Sequence, residues 1–154
     1  MEGYKEITIK WSYPKAFDAV LASERTNDVG IYYISRVFGD KETLLYIGKT
    51  TASFGSRLKD HKAKWLDDYR GIKYVRLGEI VEPKDMSVYD TAGYINDAEK
   101  TIIFYLTQIQ EQDLPANVTS TNSTYPIQDL IINNTGYRGD LPKRLFIPEE
   151  YNAE

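Results

Sequence analysis

The fold of this chain is decided by two neighbouring stretches of sequence, GIYYISRVF at residues 30–38 and TLLYIG at residues 43–48. Both are rich in the β-branched and aromatic residues that favour strands. Gly39 and Asp40 supply the chemistry of a tight turn between them, so the two stretches predict a β-hairpin. Side chains alternate between the two faces of a strand. A turn centred on residues 39–41 therefore puts Tyr32 and Tyr46 on the same face.

The rest of the chain alternates between the two-residue period of a strand and the longer period of a helix. Further strands are predicted over residues 6–11, 72–80, 128–133 and 144–147, and helices over residues 15–22, 51–69 and 85–111. Asp85 is the predicted N-cap of the last helix, whose apolar side includes Ile95, Ala98 and Ile102. This order predicts an α+β fold in which a small, mostly antiparallel central sheet is flanked by helices.

Length and composition indicate a single domain, residues 1–154, with enough chain to bury a core without covalent cross-links. The chain has no cysteine, which excludes disulfides, thiolate nucleophiles and zinc sites built on cysteine. Its one histidine, His61, excludes a metal site made of several histidines. Any bound metal must be held mainly by carboxylate oxygen and water, which favours Mg²⁺, Mn²⁺ or Ca²⁺.

The N-terminus lacks the basic start and apolar run of a secretory signal. Apolar runs elsewhere are far shorter than the roughly 20 residues that span a bilayer. We therefore expect a cytoplasmic protein with no membrane partner.

Charge is unevenly distributed along the chain. The formal net charge is −4 at pH 7, which by itself argues against a nucleic-acid partner. Residues 49–76, however, hold eight Lys or Arg residues and three acidic ones, whereas residues 79–113 and the C-terminal end are acidic. Because the distribution of charge matters more than its sum, the basic stretch is a candidate surface for phosphate. A solvated helix face is the alternative explanation.

The predicted helix over residues 85–111 carries a carboxylate within its apolar side. Glu99 falls between Ile95 and Ile102 on the helical wheel. A buried carboxylate is costly without a partner, and a bound divalent cation is one such partner. The alternatives are a buried salt bridge, or a position at the edge of the apolar side that reaches water.

Arg57, His61 and Lys64 follow one another at intervals of about one helical turn, so they line one face of the preceding helix. We expect them at the rim of the surface against which that helix packs. The fork of an arginine suits phosphate oxygens, and an imidazole can move a proton. The alternative is a surface Arg and a surface His at a chance helical spacing.

The two hairpin stretches resemble the signature of the GIY-YIG nuclease family. Gly30-Ile31-Tyr32 and Tyr46-Ile47-Gly48 are similar to its two defining tripeptides, at an interval that a slightly longer hairpin turn accommodates. Lys49 then stands where a basic residue is common in the family.

Later residues follow the family's order. Arg57 is similar to its catalytic arginine, His61 stands where the family places a His or Tyr, and Glu99 is similar to its metal-binding glutamate. Asn117 matches the asparagine that closes the motif set, with Asn122 as a second candidate. The resemblance covers residues 30–117 and leaves residues 1–29 and 118–154 as additions to this nuclease core.

The resemblance implies a metal-dependent endonuclease that hydrolyses DNA phosphodiester bonds. The implied catalytic residues are Tyr32, Tyr46, Arg57, His61 and Glu99, and the implied substrate-binding residues are Lys49, Lys64 and Asn117. Glu99 would hold one Mg²⁺ or Mn²⁺, and Arg57 a phosphate oxygen. Tyr32 would act as general base and Tyr46 would position the water or phosphate, although these two roles can be exchanged.

The chain has no obvious separate DNA-reading module such as a zinc finger. We therefore expect specificity to come from the terminal additions, from a homodimer or from a partner protein. Two other interpretations stay open. One is an inactive module of GIY-YIG fold that binds nucleic acid. The other is an unrelated α+β protein-interaction domain, which predicts that Tyr32, Arg57 and Glu99 lie far apart.

Overall fold

The computed structural model describes residues 3–117, 127 and 129–151. Its strands are β1 (Lys5–Trp11), β2 (Lys15–Ala16), β3 (Gly30–Phe38), β4 (Lys41–Thr50), β5 (Ile72–Glu82), β6 (Leu130–Gly136) and β7 (Arg144–Leu145). Its α-helices are α1 (Phe17–Leu21), α2 (Phe54–Lys64) and α3 (Val88–Phe104), and a π-helical turn, Tyr105–Ile109, prolongs α3. Short 3₁₀ turns occupy Glu24–Asn27, Leu66–Asp68 and Glu149–Tyr151.

Within the described residues the strands form one sheet in the order β4-β3-β5-β1-β6-β7, with β2 paired to β5. The prediction of an α+β fold is confirmed. The sheet is mixed, however, and not mostly antiparallel as predicted. Its centre contains a parallel pair, in which β1 runs beside β6 from Lys5↔Leu130 to Trp11↔Gly136. β1 and β6 lie at opposite ends of the chain, so the segment that joins them is long enough for a parallel pairing.

The two faces of the sheet are covered by different helices. One apolar cluster contains Ile31 and Ile47 from the hairpin together with Ile95 and Ile102 from α3. The other contains Tyr32 together with apolar side chains of α1 and α2, with Tyr46 and Trp65 packed against it. The hairpin strands β3 and β4 therefore contribute side chains to both cores, and β4 forms one edge of the sheet.

The starts of two helices differ from prediction. Helix α1 begins at Phe17 because the two preceding residues, at positions 15 and 16, pair with β5. Helix α3 begins after Ser87, whose side chain accepts a hydrogen bond from the backbone N–H of Asp90. Asp85, the predicted N-cap, has a φ of 61°, whereas an N-cap residue is usually extended.

Other element boundaries also differ from the prediction. The spacing of Phe54, Leu58, Trp65 and Tyr69 in the sequence predicts the apolar side of one helix. Helix α2 ends at Lys64, however, so Trp65 and Tyr69 lie beyond it. The predicted strand over residues 128–133 is observed as Leu130–Gly136, while Gln128 lies outside the described residues. Strands β6 and β7 form the predicted pair. No helix in the described part of the chain is long and apolar enough to cross a membrane.

Candidate active site

The β3–β4 hairpin places two tyrosines side by side on one face of the sheet. Tyr32 pairs with Gly48 and Ile34 pairs with Tyr46, so the prediction that these four positions share a face is confirmed. The pairing shifts by one residue after Ile34, so Leu44, although even-numbered, packs in the other core. The two tyrosine rings are stacked, with centroids 6.0 Å apart and planes inclined by 17°. Tyr32 is 0% exposed, whereas Tyr46 is half-buried. Of the two, Tyr46 is the one that solvent or a ligand reaches.

Two glycines of the hairpin leave no room for a side chain. A Cβ added to Gly48 would overlap the ring of Tyr32 and lie 2.5 Å from Cε1 of Tyr46. A Cβ added to Gly30 would overlap the carbonyl oxygen of Gly78, and Gly30 also has a φ of 151°, which other residues rarely adopt. Gly48 is therefore needed for the approach of the two tyrosine rings, and Gly30 for the approach of β3 to β5.

His61 is buried beside the tyrosine pair, and both of its ring nitrogens are hydrogen-bonded. Nε2 lies 2.6 Å from the hydroxyl oxygen of Tyr32, and Nδ1 accepts a hydrogen bond from the indole N–H of Trp65 at 2.8 Å. The expectation that His61 lies at the rim of the surface against which α2 packs is wrong, because the residue is buried within that surface, at 5% exposure. Burial, reinforced by the charge of Arg57, lowers the pKa of His61 to about 4, so the imidazole is neutral at pH 7.

Trp65 is a site residue that the sequence pattern assigned to the core. Its ring centroid lies 5.4 Å from that of Tyr46 and 5.3 Å from that of His61. The available signal was the four-residue interval between His61 and Trp65, which puts an indole donor one helical turn from the imidazole. The interval alone does not show which way either ring points, so the pairing required the structure.

Arg57 brings a positive charge next to both tyrosine hydroxyls. Burial raises the pKa of Tyr32 and of Tyr46, and Arg57 opposes the rise through its charge and through side-chain hydrogen bonding. The Arg57 side chain is 42% exposed and its Nη1 lies 3.5 Å from a carboxylate oxygen of Asp60. Lys64 shares that carboxylate, but its side chain is 71% exposed. Arg57 therefore faces both the tyrosines and solvent, whereas Lys64 lies at the surface.

Glu99 is half-buried on α3, beside the apolar residues that the helical wheel predicted. Burial raises the pKa of its carboxyl group, and the positive charges of Lys49, Arg57 and Lys100 oppose that rise. The negative charge of Glu99 in turn acts on the two site tyrosines. Within residues 3–117, 127 and 129–151, no side chain forms a hydrogen bond or ion pair with Glu99.

The Glu99 carboxylate could serve as the single protein ligand of a hard divalent cation. Mg²⁺ is usually bound through one or two carboxylates and keeps several waters. The hydrogen bonds of His61 occupy both of its ring nitrogens, so the imidazole is not a ligand in this arrangement. No three His, Asp or Glu side chains among the residues described are grouped so as to hold a metal ion. Water and substrate phosphate would therefore have to complete the coordination.

Asn117 is 1% exposed and uses both ends of its side-chain amide on the backbone of Ile47. Its Oδ1 accepts from the N–H of Ile47 at 2.9 Å, and its Nδ2 donates to the carbonyl of Ile47 at 2.8 Å. The N–H of Ala116 donates to the carbonyl of Leu45 at 3.1 Å. Asn117 thus supports the edge strand β4 from within the core, whereas a substrate contact was predicted. Asn122 lies outside the described residues.

Part of the positive charge counted in residues 49–76 is neutralised within the protein. Arg76 is 8% exposed and its Nη1 lies 2.7 Å from a carboxylate oxygen of Glu42. Lys62 pairs with Asp18 at 2.9 Å. The sequence count therefore overstates the positive surface that a phosphate could meet. The positive charge that acts on the two tyrosines is that of Arg57.

Five residues that were predicted to act together form one electrostatically coupled group, drawn from β3, β4, α2 and α3: Tyr32, Tyr46, Arg57, His61 and Glu99. Side chains from both faces of the sheet contribute to this group near β4. No protein-family model matches the chain, and comparisons with curated proteins and with solved structures found no match.

Proposed function

We propose that this chain is a metal-dependent endonuclease of the GIY-YIG type that hydrolyses DNA phosphodiester bonds. The observation that carries the proposal is the coupling of Arg57 and Glu99 to one stacked tyrosine pair. A fold needs no such grouping for its stability, because burial makes these charged and phenolic groups costly. A phosphodiesterase needs an anionic metal ligand, a cation and proton-transfer groups within one site.

In this proposal Glu99 would hold one Mg²⁺ or Mn²⁺, which when bound would neutralise charge on the scissile phosphate. Arg57 would bind a non-bridging phosphate oxygen, because its guanidinium is half exposed beside the tyrosines. Lys49 and Lys64 would contact the DNA backbone farther from the reacting atoms. Asn117 would act by holding β4 in place.

The two tyrosines would exchange the roles expected from the resemblance. Tyr46 would meet the attacking water, because Tyr32 is fully buried and its hydroxyl is engaged by His61. Burial keeps Tyr46 protonated at neutral pH. Tyr46 must therefore pass its hydroxyl proton to solvent before, or as, its oxygen accepts a proton from the attacking water. The positive charge of Arg57 favours this loss. Cleavage is accordingly expected to speed up as pH rises above neutral.

The test is nicking of supercoiled plasmid by the purified protein with Mg²⁺, with Mn²⁺ or with EDTA. Glu99→Gln and Arg57→Ala should each lower the nicking rate by about 10²–10³-fold, the size of effect expected when one charge-stabilising group is lost. Asp90→Asn is the matched control for Glu99→Gln, because Asp90 is an exposed acid two turns or more away on the same helix. This control should nick at the native rate.

The assays separate the nuclease from a binding module and from a protein-interaction domain. Metal-dependent nicking that Glu99→Gln abolishes and Asp90→Asn preserves supports the nuclease. Binding of DNA without cleavage in any metal indicates an inactive binding module, or an enzyme that requires a homodimer or a partner protein. Absence of both binding and cleavage favours a protein-interaction domain. Nicking by Glu99→Gln at the native rate contradicts the role of Glu99.

A further inference from the structure

The hydrogen bond between Trp65 and His61 determines which imidazole nitrogen carries the proton. The indole Nε1–H is a donor and cannot accept. It lies 2.8 Å from Nδ1 of His61, so Nδ1 must accept and must be unprotonated. A neutral imidazole carries one proton, which is then on Nε2.

This tautomer sets the direction of the next hydrogen bond. Nε2 lies 2.6 Å from the hydroxyl oxygen of Tyr32, and as an N–H group it donates to that oxygen. We propose that Trp65 is a positioning residue of the candidate site. Its indole fixes His61 as an Nε2–H donor to Tyr32, so His61 cannot take a proton from that tyrosine. The hydroxyl proton of Tyr32 is consequently directed away from His61.

The surroundings of His61 reinforce this arrangement. Helix α2 contributes the charges of Arg57, Asp60 and Lys64, and β3 and β4 contribute Tyr32 and Tyr46. Protonation of Nδ1 would place two N–H groups 2.8 Å apart. Burial and the charge of Arg57 also disfavour the imidazolium, in line with a pKa of about 4. The imidazole is therefore a fixed hydrogen-bond donor at neutral pH and not a proton acceptor.

The consequence for cleavage rests on the proposed function. A proton released during the reaction would have to leave through Tyr46 and solvent, because His61 offers no acceptor nitrogen on the tyrosine side. His61 would instead hold the Tyr32 hydroxyl in place by donating from Nε2 to its oxygen. This role differs from the sequence-based expectation that His61 moves a proton.

The tautomer itself can be measured without any cleavage assay. The chain contains one histidine, so a long-range ¹H–¹⁵N NMR spectrum of the folded protein shows a single imidazole. At pH 7 we expect a protonated Nε2 and an unprotonated Nδ1, retained down to about pH 5. A protonated Nδ1 in the native protein would overturn the proposal, whether or not the protein cleaves DNA.

Trp65→Phe removes the indole donor and keeps an aromatic ring. We expect His61 to populate both tautomers in this variant and to protonate at a higher pH than in the native protein. Trp11→Phe is the matched control, since Trp11 donates its indole N–H to Oδ1 of Asn134 at 2.9 Å in the other core. That control should leave the His61 spectrum unchanged.

A Trp65→Phe spectrum with the native tautomer and native protonation would contradict the role of Trp65. If the protein is a nuclease, the nicking rate of Trp65→Phe should also fall about tenfold, the effect of losing one hydrogen bond that orients the site. Failure of the nuclease proposal would remove this second readout and leave the NMR result intact. The two hypotheses can therefore fail separately.

Discussion

Replacing Asn117 with alanine should lower the free energy of unfolding by about 2–6 kcal/mol. The substitution removes both hydrogen bonds to Ile47, whose own side chain is 0% exposed. A buried backbone donor or acceptor that loses its partner costs about 1–3 kcal/mol, and Asn117→Ala leaves one of each. Because small domains have about 5–15 kcal/mol of stability in total, the loss is a large fraction of the whole.

Urea denaturation followed by circular dichroism measures the change. For a chain of this length about 1 kcal/mol corresponds to about 2–4 °C, so thermal unfolding should begin roughly 10 °C earlier. Asn27→Ala is the matched control, because Asn27 is exposed at the end of a 3₁₀ turn and should change stability by less than about 0.5 kcal/mol. A loss below about 1 kcal/mol for Asn117→Ala would show that Ile47 reaches water or another partner, and would refute the reasoning.

Gly48→Ala should disrupt the stacking of Tyr46 against Tyr32 and strongly reduce nicking. Gly93→Ala on α3 adds a Cβ that meets nothing within 4 Å, and it should stabilise the helix by about 0.5–1 kcal/mol. Equal effects of the two variants on thermal unfolding would contradict the packing argument. Burial alone would raise the pKa of Glu42, but hydrogen bonds, that of Arg76 foremost, lower it below its usual value. The stability from this pair is therefore present above the unfolded pKa of about 4.3 and is lost as pH falls through the folded pKa. Unfolding measured between pH 7 and pH 3 should show a flatter pH dependence for Glu42→Gln than for the native protein.

The local parts of this fold could be predicted from sequence because short-range rules govern them. The β-branched and aromatic composition predicted β3 with its observed bounds. Tyr32 and Tyr46 share a face as predicted, but the turn pairs Phe38 with Lys41, and a one-residue shift in the pairing between Ile34 and Ser35 is what brings Tyr46 opposite Ile34. The start of α3 could not be predicted, because Asp85 and Ser87 are both favoured cap residues and the backbone conformation selects between them. Sequence pattern offers candidates at such positions without deciding among them.

The non-local parts depend on how elements dock. Nothing in the sequence of β1 or β6 indicates that they run parallel as neighbours. The burial of His61 follows from the position of α2 against the hairpin, and helical spacing alone predicted an exposed rim. Sequence predicted a substrate-binding role for Asn117, but its two bonds to Ile47 depend on a loop that runs beside the edge strand, which the sequence does not reveal.

The position of the candidate site at β4 explains why Asn117 and the site belong together. The tyrosines belong to the core under α2, and Glu99 lies on α3, which packs on the opposite face. Side chains from opposite faces can approach one another readily only where the sheet ends. An edge strand, however, presents backbone groups that lack a strand partner. Ala116 satisfies the carbonyl of Leu45, and Asn117 satisfies the N–H and the carbonyl of Ile47, so this part of the edge is paired at the place where the two faces meet. On this reasoning the edge that makes the site accessible also makes the asparagine necessary.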